Sequence, residues 1–146
     1  MILSASEISR RINGEPGREP LVIRPYLREC QQPASYDLRA ALDIPLPHGT
    51  CTLVPTLEWV ELPTDLAGTL RCRSSFGRKG VLLGAGYVDP GFRGQLTLCL
   101  TNMGNDLAVK KNDRIVQLIL QEVQGDGEGY SGRYQDSHGA VEARES

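Results

Sequence analysis

Between Leu21 and Val123 the chain is a succession of short apolar runs separated by proline and glycine, and this punctuation constrains the fold more than any other feature. Leu21-Val22-Ile23 is stopped by Pro25, Cys51 to Val54 by Pro55, and Leu57 to Leu62 by Pro63. Proline removes a ladder donor and glycine weakens a strand interior, so both fall between strands more readily than inside them. Tyr36 to Ala40 alternates, and Gln95 to Thr101 alternates throughout, with Leu96, Leu98 and Leu100 on one face. Thr69 to Cys72 is another short run, followed by a glycine-rich connection to Val88. Arg114 to Val123 is the most apolar run. Its β-branched residues and the Asn112-Asp113 turn before it favour a buried strand over a helix. With sixteen glycines and nine prolines in 146 residues, the expectation is an all-β domain, closed or sandwich-like.

The two ends read differently. Ser4-Ala5-Ser6-Glu7 has the form of a capping box, Leu3 and Ile8 stand where a hydrophobic staple would pack, and Ile8 and Ile12 share a face. A short helix from Ser4 to Ile12, ended by Asn13-Gly14, is expected. From Gly125 onward the chain is polar without apolar periodicity, so residues 1–124 are expected to form the domain and 125–146 a flexible tail.

A net charge of −2 excludes general nucleic-acid binding but not a small cationic pocket. No run is long enough to cross a membrane and no apolar leader follows Met1, so a cytoplasmic protein is expected. Cys30, Cys51, Cys72 and Cys99 lack metal-ligand spacing.

Two segments carry candidate chemistry. Arg71 to Gly80 gathers four cations and the hydroxyls of Ser74 and Ser75 near a strand end. Guanidiniums and hydroxyls suit an oligophosphate, although composition alone favours a solvated basic turn. Gly84-Ala85-Gly86-Tyr87-Val88-Asp89-Pro90-Gly91-Phe92-Arg93-Gly94 combines glycines, a Pro-Gly step, aromatic rings and an acid. Glycine admits close backbone approach to a base, a ring offers a flat face, and an acid can activate water. An ordinary β-hairpin with Asp89 opening its turn fits the same residues equally well.

The order of the segments adds what neither carries alone. Tyr36-Asp37-Leu38, then Arg73 to Gly77, then Gly84 to Asp89 with Phe92-Arg93-Gly94, then Asp113 to Ile119 resemble the successive motifs of the dUTPase and dCTP deaminase superfamily. The resemblance implies a distorted β-barrel or jelly-roll, a homotrimer, and active sites between subunits closed by the C-terminal tail.

Within that superfamily the expectation is a dUTP diphosphatase, splitting dUTP into dUMP and pyrophosphate. The deaminase branch carries a glutamate ten residues past the hairpin aspartate, and here that position is Cys99. Gly84 to Asp89 and Asp113 to Ile119 also resemble the dUTPase forms. The tail from Arg133 to Val141 instead resembles that of deaminases, with Ser137 where they tend to carry glutamine. A dCTP deaminase, mono- or bifunctional, and a catalytically idle nucleotide-binding trimer are the alternatives.

The resemblance implies that Asp89 positions the attacking water and that Mg²⁺, held mainly by the phosphates, reaches Asp37 through water. It implies that Ser74 donates near the scissile bridge, that Arg73 and Gln117 brace the phosphates or each other, and that Ser75 also contacts the substrate. Gly86, Tyr87 and Val88 would border the base, Phe92 would pack on the deoxyribose, Arg133 would clamp the outer phosphates and Tyr134 would cover the base. His48 and Lys110-Lys111 read as turn residues, Trp59 as packing, and His138 as a possible phosphate contact.

Overall fold

The computed structural model describes residues 1–125 and 127–144; the expected tail therefore includes three positions, 126, 145 and 146, outside the described residues. In chain order the elements are α1 (Ala5–Asn13), β1 (Val22–Arg24), β2 (Gln31–Gln32), β3 (Ser35–Arg39), β4 (Ile44–Leu46), β5 (Cys51–Glu61), β6 (Leu66–Cys72), α2 (Ser74–Gly77), β7 (Val81–Gly84), β8 (Tyr87–Val88), β9 (Arg93–Asn102), β10 (Leu107–Val109) and β11 (Arg114–Glu122). One sheet runs β2-β3-β11-β6-β8, a second runs β1-β5-β9-β7, and β4 pairs with β10. The architecture is a distorted jelly-roll rather than a closed barrel, one of the two forms the family resemblance implied.

The core lies where the inward faces of both sheets meet. Leu38, Leu118 and Leu120 from the first sheet and Val54, Leu98 and Leu100 from the second are all fully buried in one cluster. Each such side chain contributes roughly 1.5–3 kcal/mol by leaving water. The alternation of β9 is thereby explained, and its other face carries Gln95, Thr97 and Cys99, which are only partly buried.

An ion pair ties the sheets together. Arg39 on β3 donates Nε to Glu58 Oε2 at 2.7 Å, and its backbone N–H donates to Glu58 Oε1 at 2.9 Å. Burial pushes the Glu58 carboxyl up, and the bonds from Arg39 offset part of that rise. Such a pair adds little net stability, because both charges have left water, but losing one partner would leave the other buried and unpaired.

Three local expectations change in detail. Helix α1 forms with Ser4 as its N-cap, accepting from the Glu7 N–H at 3.4 Å, but the Glu7 carboxylate pairs with Arg10 instead of reaching back. Pro55 does not separate two strands: β5 is continuous from Cys51 to Glu61, with its register against β9 shifting between Pro55 and Trp59. An irregularity of this kind accommodates a residue without an N–H, and the Pro55 carbonyl still accepts from Ala41 at 3.0 Å. The third change concerns the glycine-rich segment. The strands on either side of the Asp89-Pro90-Gly91-Phe92 turn do not form a hairpin, because β8 pairs with β6 in the first sheet while β9 pairs with β5 and β7 in the second.

Candidate functional site

The chain crosses between sheets twice within ten residues, first at Ala85-Gly86 and again at Asp89 to Phe92. The first crossing needs backbone that ordinary residues avoid: Ala85 has φ of 59° and Gly86 of 144°. A side chain at Gly86 would meet the Leu70 carbonyl oxygen at 3.1 Å, and the Leu70 N–H donates to the Gly86 carbonyl at 2.6 Å. Glycine is required there by conformation and by space.

The crossings wall a cavity of about 460 Å³. Gly84 to Asp89 and Phe92 form one side, and Leu53, Thr97 and Cys99 of the second sheet's outer face contribute to its floor. Tyr130, Tyr134, Ser137, Val141 and Ala143 of the tail close it. The lining is mostly apolar, and Asp89, itself exposed, is its one carboxylate among the described residues. Phe92 is buried, with its ring against the edge of Tyr130 at 5.6 Å between centroids, so much of its surface is already covered. Cys99 faces the cavity between Leu53 and Gly84 on the neighbouring strands, and burial pushes its thiol up, keeping it neutral.

Of the residues singled out in the sequence, Gly86, Tyr87, Val88, Asp89, Phe92 and Tyr134 meet at this cavity. Asp37, Arg73, Ser74, Ser75 and Gln117 do not line it. They gather elsewhere, on the first sheet, where Asp37 of β3 stands opposite Gln117 of β11 and Arg73 follows the end of β6. Asp37 is buried, with Arg73 Nε at 3.4 Å and Arg114 Nη1 at 3.6 Å from its Oδ2. Its Oδ1 has no hydrogen-bond partner. Burial pushes the Asp37 carboxyl up, and the two guanidiniums pull it partly back. Ser74 and Ser75 are exposed in α2.

Arg133 joins neither group. Its Nη1 donates to the Arg144 carbonyl at 3.2 Å, and Arg144 lies over the Tyr134 ring. His138 stacks on Trp59 at 4.9 Å, while His48 Nδ1 lies 2.7 Å from the Gly104 carbonyl in a turn. Sequence reasoning passed over Gln95 and Thr97 as lining residues and Arg114 as a neighbour of Asp37. The signal for the first two was present: once Leu96, Leu98 and Leu100 are core, the alternate residues of β9 must face out.

The family model described as dCTP deaminase-like matches residues 41–123. The dCTP deaminase of Thermococcus kodakarensis is 36% identical over 137 residues, covering 82% of this chain and 88% of its own length. That of Pyrococcus horikoshii is 35% identical with the same coverage. Among solved structures, the 2'-deoxycytidine 5'-triphosphate deaminase of Agrobacterium tumefaciens aligns with a TM-score of 0.69 at 20% identity, covering 82% of this chain and 47% of that one. The chain thus spans about half the length of that protein. The EIAV dUTPase aligns with a TM-score of 0.62 at 22% identity, covering 79% of this chain and 98% of that one. At these identities the structural likenesses speak to fold alone. No helix among the described residues is long and apolar enough to cross a membrane.

These findings correct the expectation of a dUTP diphosphatase. It rested on one strand position, Cys99, and on the form of two motifs, whereas relatives named dCTP deaminase share about a third of residues along most of the chain. The chain belongs to the dCTP deaminase-like family.

Proposed function

We propose that the chain removes the 4-amino group of dCTP by hydrolysis, giving dUTP and ammonia, in the cavity bordered by Asp89. The observation that carries this reading is the lining itself: an apolar chamber large enough for a nucleoside, with Asp89 as its one carboxylate among the described residues. Water adds its oxygen to C4 and passes a proton to Asp89. Asp89 delivers it to N3, then takes the proton of the new C4 hydroxyl and passes it to the amino nitrogen. The C4–N bond breaks, ammonia leaves, and a C4 carbonyl with a protonated N3 remains. Backbone groups of Gly86, Tyr87 and Val88 border the base, with Phe92 and Tyr134 supplying ring faces.

The phosphates fall to Arg73, Ser74, Ser75 and Gln117. Because these lie away from the cavity in one chain, a second copy supplies them, as a homotrimer would. Mg²⁺, when bound with the nucleotide, would neutralise charge on the triphosphate. The orphaned Oδ1 of Asp37 suits a water on that ion, and the described residues hold no cluster of three or more His, Cys, Asp or Glu that would bind it without the nucleotide. Arg133 reaches the outer phosphates only by leaving Arg144.

Ammonia release from dCTP, with dUTP formed in equal amount, is the expected outcome. Its absence at high protein concentration overturns the reading. One observation favours a second reading, a protein that binds the nucleotide without turning it over: the neutral Cys99 thiol is a poor proton shuttle. In that case the native chain binds dCTP but releases no ammonia, and Cys99→Glu gains the activity.

A further inference from the structure

The segment from Pro90 to Arg93 carries the second sheet crossing and follows directly on Asp89, yet the β domain holds it by few bonds. The Gly91 N–H donates to the Leu62 carbonyl at 2.9 Å, the Leu62 N–H donates to the Phe92 carbonyl at 2.9 Å, and the Phe92 N–H closes the turn on the Asp89 carbonyl at 3.1 Å. The remaining polar backbone of the segment is satisfied from the tail. The Pro90 carbonyl accepts from the Tyr130 N–H at 2.8 Å, and the Arg93 carbonyl accepts from the Asp136 N–H at 2.9 Å.

The side chain of Gln135 completes the set. Its Oε1 accepts from the Arg93 N–H at 2.8 Å, and its Nε2 donates both to the Gly91 carbonyl at 3.0 Å and to the Tyr130 carbonyl at 3.0 Å. One amide thus spans both ends of the turn and ties it to the start of the tail. Only glutamine or asparagine offers an acceptor and two donors in one plane, and glutamine has the longer reach. The approach is close: a side chain at Gly94 would meet the Ser137 N at 2.9 Å. Arg93 and Asp136 add a forked pair at 2.5 and 3.1 Å, but both side chains are about half exposed, so solvent weakens it.

We propose that Gln135 is a positioning residue, whose amide holds the Gly91–Arg93 turn and through it sets the Asp89 carboxylate against the nucleotide. This deepens the proposed function and rests on it for the nucleotide, but the hold on the turn is measurable without one. Because Asp89 is exposed at the cavity, fixing the backbone that carries it does most to orient its carboxylate.

The test is amide hydrogen exchange on the full chain without nucleotide, comparing the native protein with Gln135→Ala and Gln135→Glu. The informative amides are those of Gly91 and Phe92, whose own acceptors, Leu62 and Asp89, are untouched by either change. Both should exchange about tenfold faster or more in Gln135→Ala, while those of Leu70 and Leu118 keep their native rates. Gln135→Glu retains the acceptor for Arg93 but faces two carbonyls with a carboxylate, so it should not restore protection. Asp136→Asn, at the more exposed bond, should shift the same amides by less than about threefold. Native exchange at Gly91 and Phe92 in Gln135→Ala, or full protection in Gln135→Glu, overturns the proposal. In turnover, Gln135→Ala should lower kcat more than it raises KM, because it displaces the acid and leaves the phosphate contacts in place. Faster exchange in a protein that never releases ammonia would leave the positioning role standing and remove the deaminase reading. Ammonia release unaltered in Gln135→Ala would remove the link to Asp89.

Discussion

The cavity at Gly84 to Asp89 and the Asp37–Arg73–Arg114 cluster are built from opposite materials, although both come from motifs of the same family. The cavity is mostly apolar, enclosed by its own chain's tail, and holds one carboxylate among the described residues. The cluster is charged and sits on the edge between strand ends of the first sheet, with a buried acid shared by two guanidiniums. An apolar chamber can be finished by one chain, because tail and strands bury each other. In the cluster the acid is buried while Arg73 and Arg114 stay about a third exposed, so the guanidiniums keep donors open to a further anion. Under the proposed function this difference becomes a division of labour, with base and sugar assigned to the cavity and phosphates to the cluster of a second copy.

The largest effect should come from the cavity. Asp89→Asn is expected to lower ammonia release from dCTP by at least about 10²-fold, the usual range for a lost general acid or base, while dCTP affinity changes by only a few-fold. Turnover that survives the change would move the chemistry out of the cavity. An intermediate effect tests whether the regions are separable. Arg73→Ala should weaken dCTP binding by about 10- to 100-fold, as a lost charged hydrogen bond does, yet leave deoxycytidine binding unchanged by calorimetry. Equal losses for nucleotide and nucleoside would break the comparison.

The smallest effect concerns the cluster alone. Because burial raises the Asp37 carboxyl above its ordinary value of 3.8, the folded chain holds that proton more tightly than the unfolded one. The stability this contributes is present below that value and is lost as pH rises through the raised one. Asp37→Asn removes the titration, so thermal midpoints of native and variant protein should move toward the variant's favour as pH climbs from about 4 toward neutrality. A constant difference across that range would show that the two guanidiniums cancel the cost of burial.

Much of this was legible from local pattern. Alternation located β9, the β-branched run located β11, and Ser4 marked the start of α1, because side-chain period and capping chemistry act over a few residues. The same locality explains what was misread. Pro55 looked like a boundary because its missing N–H is visible in sequence, while the register shift that accommodates it lies in pairing with β9. Cys99 looked decisive because a single position is easy to count, whereas kinship is spread thinly over the whole chain.

By itself, then, the sequence determined the longer strands such as β9 and β11, the core face of β9, the N-terminal cap and a superfamily, all properties carried by neighbours in the chain. Only the tertiary structure decided that Gly84–Gly94 is a double crossing between sheets and not a hairpin. It alone placed Asp89 and Arg73 in separate regions, turned Arg133 toward Arg144 and brought Gln135 onto the backbone of the turn. Those are choices among partners far apart in sequence, made by which surfaces bury each other, and no local period records them.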